Sequence, residues 1–215
     1  METIISYNTA MTANTPPTSN RSRGRPREFD IDAALDKAIV VFTEKGYYGA
    51  SINDLGVAME LTAGSIYKAF EDKRSVFAAA LERYIALRTE RLQQALKPAA
   101  TGRERIRALL ALYAESSHED EGRRGCLIVS SAVELSVADP AIARRVAQTL
   151  DTHEQRLALF IRQGKEDGSI SVQVDAASTA RLLLCVLQGM RVIGKTGRSK
   201  KAMFGLIDNA LKVLD

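Results

Sequence analysis

Tryptophan is absent from this chain of 215 residues, and all aromatics together reach only 6%. That is a poor supply for a sugar-stacking cleft or a base-stacking sheet. Two cysteines exclude a disulfide scaffold, and two histidines argue against a multi-histidine metal enzyme. Five prolines and 14 glycines suit helices better than a loop-rich sandwich. No apolar run approaches the roughly 18 residues of a membrane span, so no membrane partner is expected. The first twenty residues, METIISYNTAMTANTPPTSN, lack the basic-then-apolar layout of a secretion signal. The expected location is the reducing cytoplasm. There is no glycine-rich phosphate loop and no nucleophile elbow. His153 beside Glu154 forms no evident acid–base pair, and His118-Glu119-Asp120-Glu121 reads as a solvated acidic loop rather than a metal site. No enzyme activity, metal or cofactor is therefore expected.

What is present is a hydrophobic content of 46%, enough for a core, and a net charge of +4. The charge is unevenly spread. Residues 1–27 carry +3, residues 28–74 carry −4, and residues 75–215 carry +5. The first segment is rich in Thr, Ser, Asn and Pro and ends in RSRGRPR, which predicts a disordered basic tail over 1–27. Arg23, Arg25 and Arg27 flank a Gly and a Pro. They suit either a narrow A·T minor groove, where negative potential is enhanced, or a solvated basic linker.

From Asp30 onward the periodicity is helical throughout, and the predicted fold is all-α with about nine helices. Asp30, Ser51, Thr62, Asp72 and Asp175 are placed as N-caps, and Asp139-Pro140 is a cap followed by proline at the first helical position. Ser51 with Asp54 makes a capping box. Residues 28–74 hold three short helices, the last two joined by Glu60-Leu61. This is the spacing of a helix-turn-helix DNA-binding domain, whose second paired helix enters the major groove. In that helix Ile66 and Phe70 fall four apart and pack inward. Ala63, Gly64, Ser65, Tyr67 and Lys68 are left facing out, and Thr62 at the helix start favours a phosphate.

The run GYYGASINDLGVAMELTAGSIYKAFEDKRSVF resembles the DNA-binding signature of the tetracycline-repressor (TetR) family of bacterial regulators. The match rests on Gly46-Tyr47, Ser51, Leu55, Ala58, Thr62, Gly64, Ile66-Tyr67, Phe70 and Lys73, in order and without a gap. The resemblance implies that Thr62, Tyr67 and Lys73 hold phosphates. It implies that Ala63, Gly64, Ser65 and Lys68 lie at the bases or adjacent phosphates of a double-stranded operator, and Ser51 is counted with them among the DNA-binding residues. Two residues depart from the family pattern. Glu60 stands where a turn glycine is usual, and Ala69 stands where many members have a polar residue. With few polar groups on the reading helix, shape readout or the tail is expected to share the work.

Residues 75–215 are expected to bind an effector and to dimerise. Leu182, Leu183, Val186, Leu187, Gly189 and Met190 on one late helix, with Phe204, Ile207 and Leu211 on the last, form candidate dimer stripes. The resemblance also implies a four-helix interface, since two copies are needed to read a palindrome. Stripes of this kind also bury within one chain. Leu109, Leu112, Tyr113, Val129, Val133, Leu157 and Phe160 are candidates to line a pocket for an unidentified small molecule, and each also suits ordinary core. Cys126 follows Arg123-Arg124-Gly125 and starts a helix, a setting that favours a reactive thiol. It reads as a thiol switch or as a small buried hydrophobe. Cys185, inside LLLCVL, reads as core. The functional expectation is a homodimeric one-component regulator, a repressor released by a small molecule or by thiol modification. The rival classes are a constitutive architectural DNA-binding protein and an enzyme with an incidental helix-turn-helix.

Overall fold

Helices begin where a short polar side chain precedes an apolar periodic run. The computed structural model describes residues 29–215, which form ten α-helices and no strand. They are α1 (Ile31–Gly49), α2 (Ile52–Met59), α3 (Ala63–Ala69), α4 (Lys73–Leu96) and α5 (Gly102–Glu115). α6 (Glu119–Arg124), α7 (Leu127–Leu135), α8 (Pro140–Glu166), α9 (Ala176–Gly194) and α10 (Lys200–Leu211) complete the set. A 3-10 turn, Lys212–Leu214, closes the chain. Asp30, Ser51, Thr62, Asp72, Asp139 and Asp175 all accept backbone N–H groups of the helices they start. Each such cap contributes about 1 kcal/mol. The tenth helix, α6, occupies HEDEGRRG, the stretch read as a loop. Its acids lie in the first turn and Arg123 and Arg124 in the last, an order that favours a helix through its dipole. His118, at its start, is buried against Phe204 instead of solvated.

Two apolar cores stack along the chain. The first joins α1 to α4 with α7 and the start of α8. Phe77 meets Phe42 edge-on at 4.9 Å, and Leu127, Ile128, Leu135, Ile142 and Val146 belong to the same core. The second is built from the end of α4 with α5, α8, α9 and α10. No backbone break marks residue 74, because α4 begins in the N-terminal unit and ends at Leu96 in the second core.

The late helices correct part of the dimer stripe. Leu183, Leu187, Met190, Ile207 and Leu211 are buried within their own chain. Leu182 is exposed, while Val186, Gly189 and Phe204 are half-buried. α9 is apolar on both sides, so periodicity could not tell which side faces inward. By length and composition α9 could even cross a membrane. Instead one side packs inside the chain, and the other leaves Leu182, Cys185, Val192 and Ile193 exposed at helical spacing. Cys185 is thus a surface thiol, not a core residue.

Candidate nucleic-acid interface and effector pocket

The reading helix α3 is anchored by Ile66, which is fully buried, and by half-buried Phe70. Thr62 Oγ1 accepts from the Ser65 backbone N–H at 3.1 Å and lies 3.0 Å from Ser65 Oγ. Thr62, Ala63, Gly64, Tyr67 and Lys68 are exposed together on one surface, with Ser65 half-buried among them. A Cβ at Gly64 would meet nothing closer than Thr62 Oγ1 at 3.9 Å. The glycine is therefore not required by internal packing, and it lets an outside partner approach the backbone. Ser51 is committed to its capping box: its hydroxyl donates to Asp54 Oδ2 at 2.7 Å and accepts from the Asp54 backbone N–H at 3.0 Å.

Lys73, implied as a phosphate ligand, has partners inside the chain. Its ammonium donates to the Tyr47 and Ala50 carbonyls, both at 2.9 Å, and lies 4.5 Å from the centre of the Tyr47 ring. The carbonyls at the end of α1 lack helical partners and attract a cation, so Lys73 pins the α1–α2 junction. Lys37 pairs with Glu60 at 2.7 Å and Lys45 with Asp54 at 2.5 Å. Arg74 makes a two-pronged pair with Asp139, at 2.5 and 2.9 Å, and holds that carboxyl down at about 2. Among the described residues of the N-terminal unit, Lys68 is the one cation without an ion pair or hydrogen bond. Arg23, Arg25 and Arg27 lie outside the described residues.

The unusual turn residue adopts the conformation a glycine would. Glu60 has φ 58° and ψ 39°, and its backbone N–H closes onto the end of α2. Left-handed backbone costs a non-glycine residue about 1 kcal/mol. Glu60→Gly is therefore expected to be about 1 kcal/mol more stable than Glu60→Ala, since both lose the Lys37 pair equally. Thermal melts of the two variants decide the matter, and equal melting temperatures would show the turn to be unstrained.

A second site lies between α4, α5, α7 and α8. Tyr84, Arg88, Thr89 and Leu92 of α4 face Leu109, Leu112 and Tyr113 of α5. Cys126, Ile128, His153, Arg156 and Leu187 complete the wall, and about 30 Å³ of space remains between them. Of the residues predicted to line a pocket, Leu109, Leu112, Tyr113 and Cys126 do so. Val133 is 82% exposed and points to solvent, Val129 is half-buried off the cavity, and Leu157 and Phe160 are second-core residues. The cavity's polar half was missed. Tyr84, Arg88 and Leu92 recur every four residues, so they share one helix face, and that spacing was the available signal. Tyr84 donates to Cys126 Sγ at 3.5 Å, and the Tyr113 hydroxyl lies 3.4 Å from His153 Nδ1. Burial, with Arg156 and Arg88 nearby, pushes His153 down to about 4, so it is neutral at physiological pH.

Comparison with known proteins places both halves. Residues 34–80 match the profile of bacterial regulatory proteins, tetR family, and residues 102–207 match the tetracyclin repressor-like C-terminal domain. The HTH-type transcriptional repressor ComR of Escherichia coli K12 is 29% identical over 90% of this chain and 92% of its own length. An uncharacterized HTH-type regulator of Bacillus subtilis, YezE, is 27% identical over 89% of this chain and all of its own. Among solved structures, a cysteine-substituted CifR bound to 26-base-pair operator DNA is 30% identical, with a TM-score of 0.79 over 89% of this chain and 100% of that one.

Proposed function

We propose, from the fact that the chain belongs to the TetR family of DNA-binding transcriptional regulators, that it is a homodimeric repressor controlled through the α4–α8 cavity. A small molecule entering that cavity, or modification of the Cys126 thiol on its wall, would release it from a near-palindromic operator in the cytoplasm. One observation carries this reading. α4 starts with Lys73, which pins the α1–α2 junction, and about four turns later it lines the cavity with Arg88 and Leu92. A change at one end is thus delivered by a single helix to the other. An effector shifts the balance only through its differential affinity for the two states.

The dimer would form on the outward sides of α9 and α10. Leu182, Val192, Ile193 and Leu206 are exposed there, and a Cβ at Gly189 or Gly205 would meet nothing within 4 Å. Apolar side chains beside small residues suit close helix packing across a two-fold axis. The DNA-binding residues would be Thr62, Ala63, Gly64, Ser65, Tyr67 and Lys68 with the tail arginines, and Ser51 and Lys73 would hold the unit in shape.

Selection from random duplexes, read by fluorescence anisotropy, tests the reading. Recovered sites are expected to carry inverted half-sites centred about one helical turn apart or a multiple of it. N-ethylmaleimide is expected to release the wild type from such a site and to leave Cys126→Ser bound. Release of both proteins alike would rule out Cys126 as the sensor. Recovery of no preferred sequence would overturn operator recognition itself.

A further inference from the structure

The cavity wall contains two guanidinium groups and no carboxylate. Arg88 and Arg156 line it, while the nearby His153 is neutral. Arg88 Nη1 donates to Ser116 Oγ at 2.7 Å and to Glu121 Oε1 at 3.0 Å, but its Nε and Nη2 make no hydrogen bond among the described residues. Glu121 is itself shared, because Arg91 donates to the same oxygen at 3.0 Å. A third guanidinium, Arg191, is 2% exposed just behind Arg88. It donates to Ser117 Oγ at 3.4 Å and to the Gly125 carbonyl, has no carboxylate partner among the described residues, and leaves Nε unpaired. Arg88 and Arg191 therefore lie near one carboxylate, Glu121, that Arg91 also claims, and Arg156 has no carboxylate partner among the described residues.

Burying a charge is costly unless an opposite charge or a full set of hydrogen bonds compensates it. The remaining walls are apolar Leu92, Leu109, Leu112, Ile128 and Leu187 with the uncharged polar groups of Tyr84, Thr89, Tyr113, Cys126 and His153, which offer no negative charge. An amine in this space would meet like charge, and a neutral guest would leave the guanidinium charge uncompensated.

We propose that the cavity takes a small organic anion, a carboxylate on a short apolar body, with its charged end on Arg88 and Arg156 and its body among Leu92, Leu109, Leu112 and Ile128. This rests on the reading of the chain as an effector-controlled regulator, and it names the effector's chemical class. Planar guanidinium groups suit a carboxylate because two parallel N–H donors meet its two oxygens. About 30 Å³ of space admits a group the size of one water, so a larger guest has to part α4 from the facing helices. An anion engaging Arg88 also competes with Glu121 of α6 for that guanidinium. Both effects act on α4.

The test is calorimetry on the full-length protein with straight-chain carboxylates from acetate to octanoate, each paired with its primary amide and its amine. At least one carboxylate is expected to bind about tenfold or more tightly than its amide, with no binding of the amine. That preference is expected to fall about tenfold in Arg156→Gln and in Arg88→Lys. Arg156 makes no ion pair among the described residues, whereas Arg88 holds Ser116 and Glu121, so Arg156→Gln is expected to disturb the fold less than Arg88→Lys. The proposal is overturned if no carboxylate outbinds its amide, or if the preference survives in Arg156→Gln. Release from DNA is measured separately by anisotropy. A carboxylate that binds with the expected preference but leaves the operator complex intact keeps the anion site and overturns its assignment as effector.

Discussion

Removing residues 1–27 is expected to weaken operator binding about a hundredfold near physiological salt. It is also expected to lower the slope of log affinity against log salt by about 0.9 for each phosphate released. The argument is a census of cations. In the N-terminal unit, Lys37, Lys45 and Arg74 are neutralised by Glu60, Asp54 and Asp139, and Lys73 is turned inward onto carbonyls. Only Lys68, among the described residues there, remains for phosphates. A surface so poor in free positive charge holds a polyanion weakly by itself, whereas the tail brings Arg21, Arg23, Arg25 and Arg27 against Glu2 alone. Lys68→Ala sets the scale, since it removes one cation per protomer and is expected to lower the slope by about 0.9 for each copy bound. Titrations over a range of salt concentrations decide the point. A slope unchanged by the truncation would falsify the role given to the tail.

Gly102→Ala is expected to destabilise the fold by about 3 kcal/mol. Gly102 opens α5 where α8 passes closest. A Cβ there would lie 2.2 Å from the Gly164 backbone nitrogen and 2.3 Å from the Phe160 carbonyl oxygen. Neither atom can yield without moving α8, and the Gly102 backbone N–H is fixed in place by Asp167 at 2.7 Å. For a chain of this size the loss corresponds to about 6 to 12 °C in melting temperature. Gly164→Ala provides the comparison. The nearest atoms to its Cβ would all belong to the Ile170 side chain, from 2.4 Å at Cδ1, and a side chain can repack. Its cost is expected to be clearly smaller. Equal costs for the two substitutions would show that the crossing of α5 over α8 is not held by backbone contact.

How much of this was legible in the sequence depended on distance along the chain. The caps at Asp30, Ser51, Thr62 and Asp72 each act on residues two or three positions ahead, so the letters alone display them. The reading helix was legible because its motif is contiguous. The internal bonds of Lys73 were hidden because its partners, the Tyr47 and Ala50 carbonyls, lie 26 and 23 residues away and meet it only after folding. The polar half of the cavity was hidden for the same reason: Arg88 meets Glu121 across 33 residues. Val133 and Leu183 show the limit of periodicity. An apolar residue on a helix with two apolar sides carries no mark of which side turns inward, so one proved exposed and the other buried. Glu60 was marked as a departure at the turn, and its left-handed backbone gives that departure a conformation.

The shared first core bears on how such a protein could be taken apart. Glu134, near the end of α7, accepts the Tyr47 backbone N–H at 2.9 Å and lies against Gly46, whose φ of 73° ends the regular part of α1. Leu127, Ile128 and Leu135 of that helix pack among Phe42, Leu55 and Phe77. The part that reads DNA is therefore no interchangeable cassette. A chimera spliced at residue 74 would graft half of a core onto a foreign C-terminal domain and strand the other half. A workable exchange has to carry α4 and a face equivalent to α7 with it, so the DNA-reading unit and the helices packed on it travel as one piece.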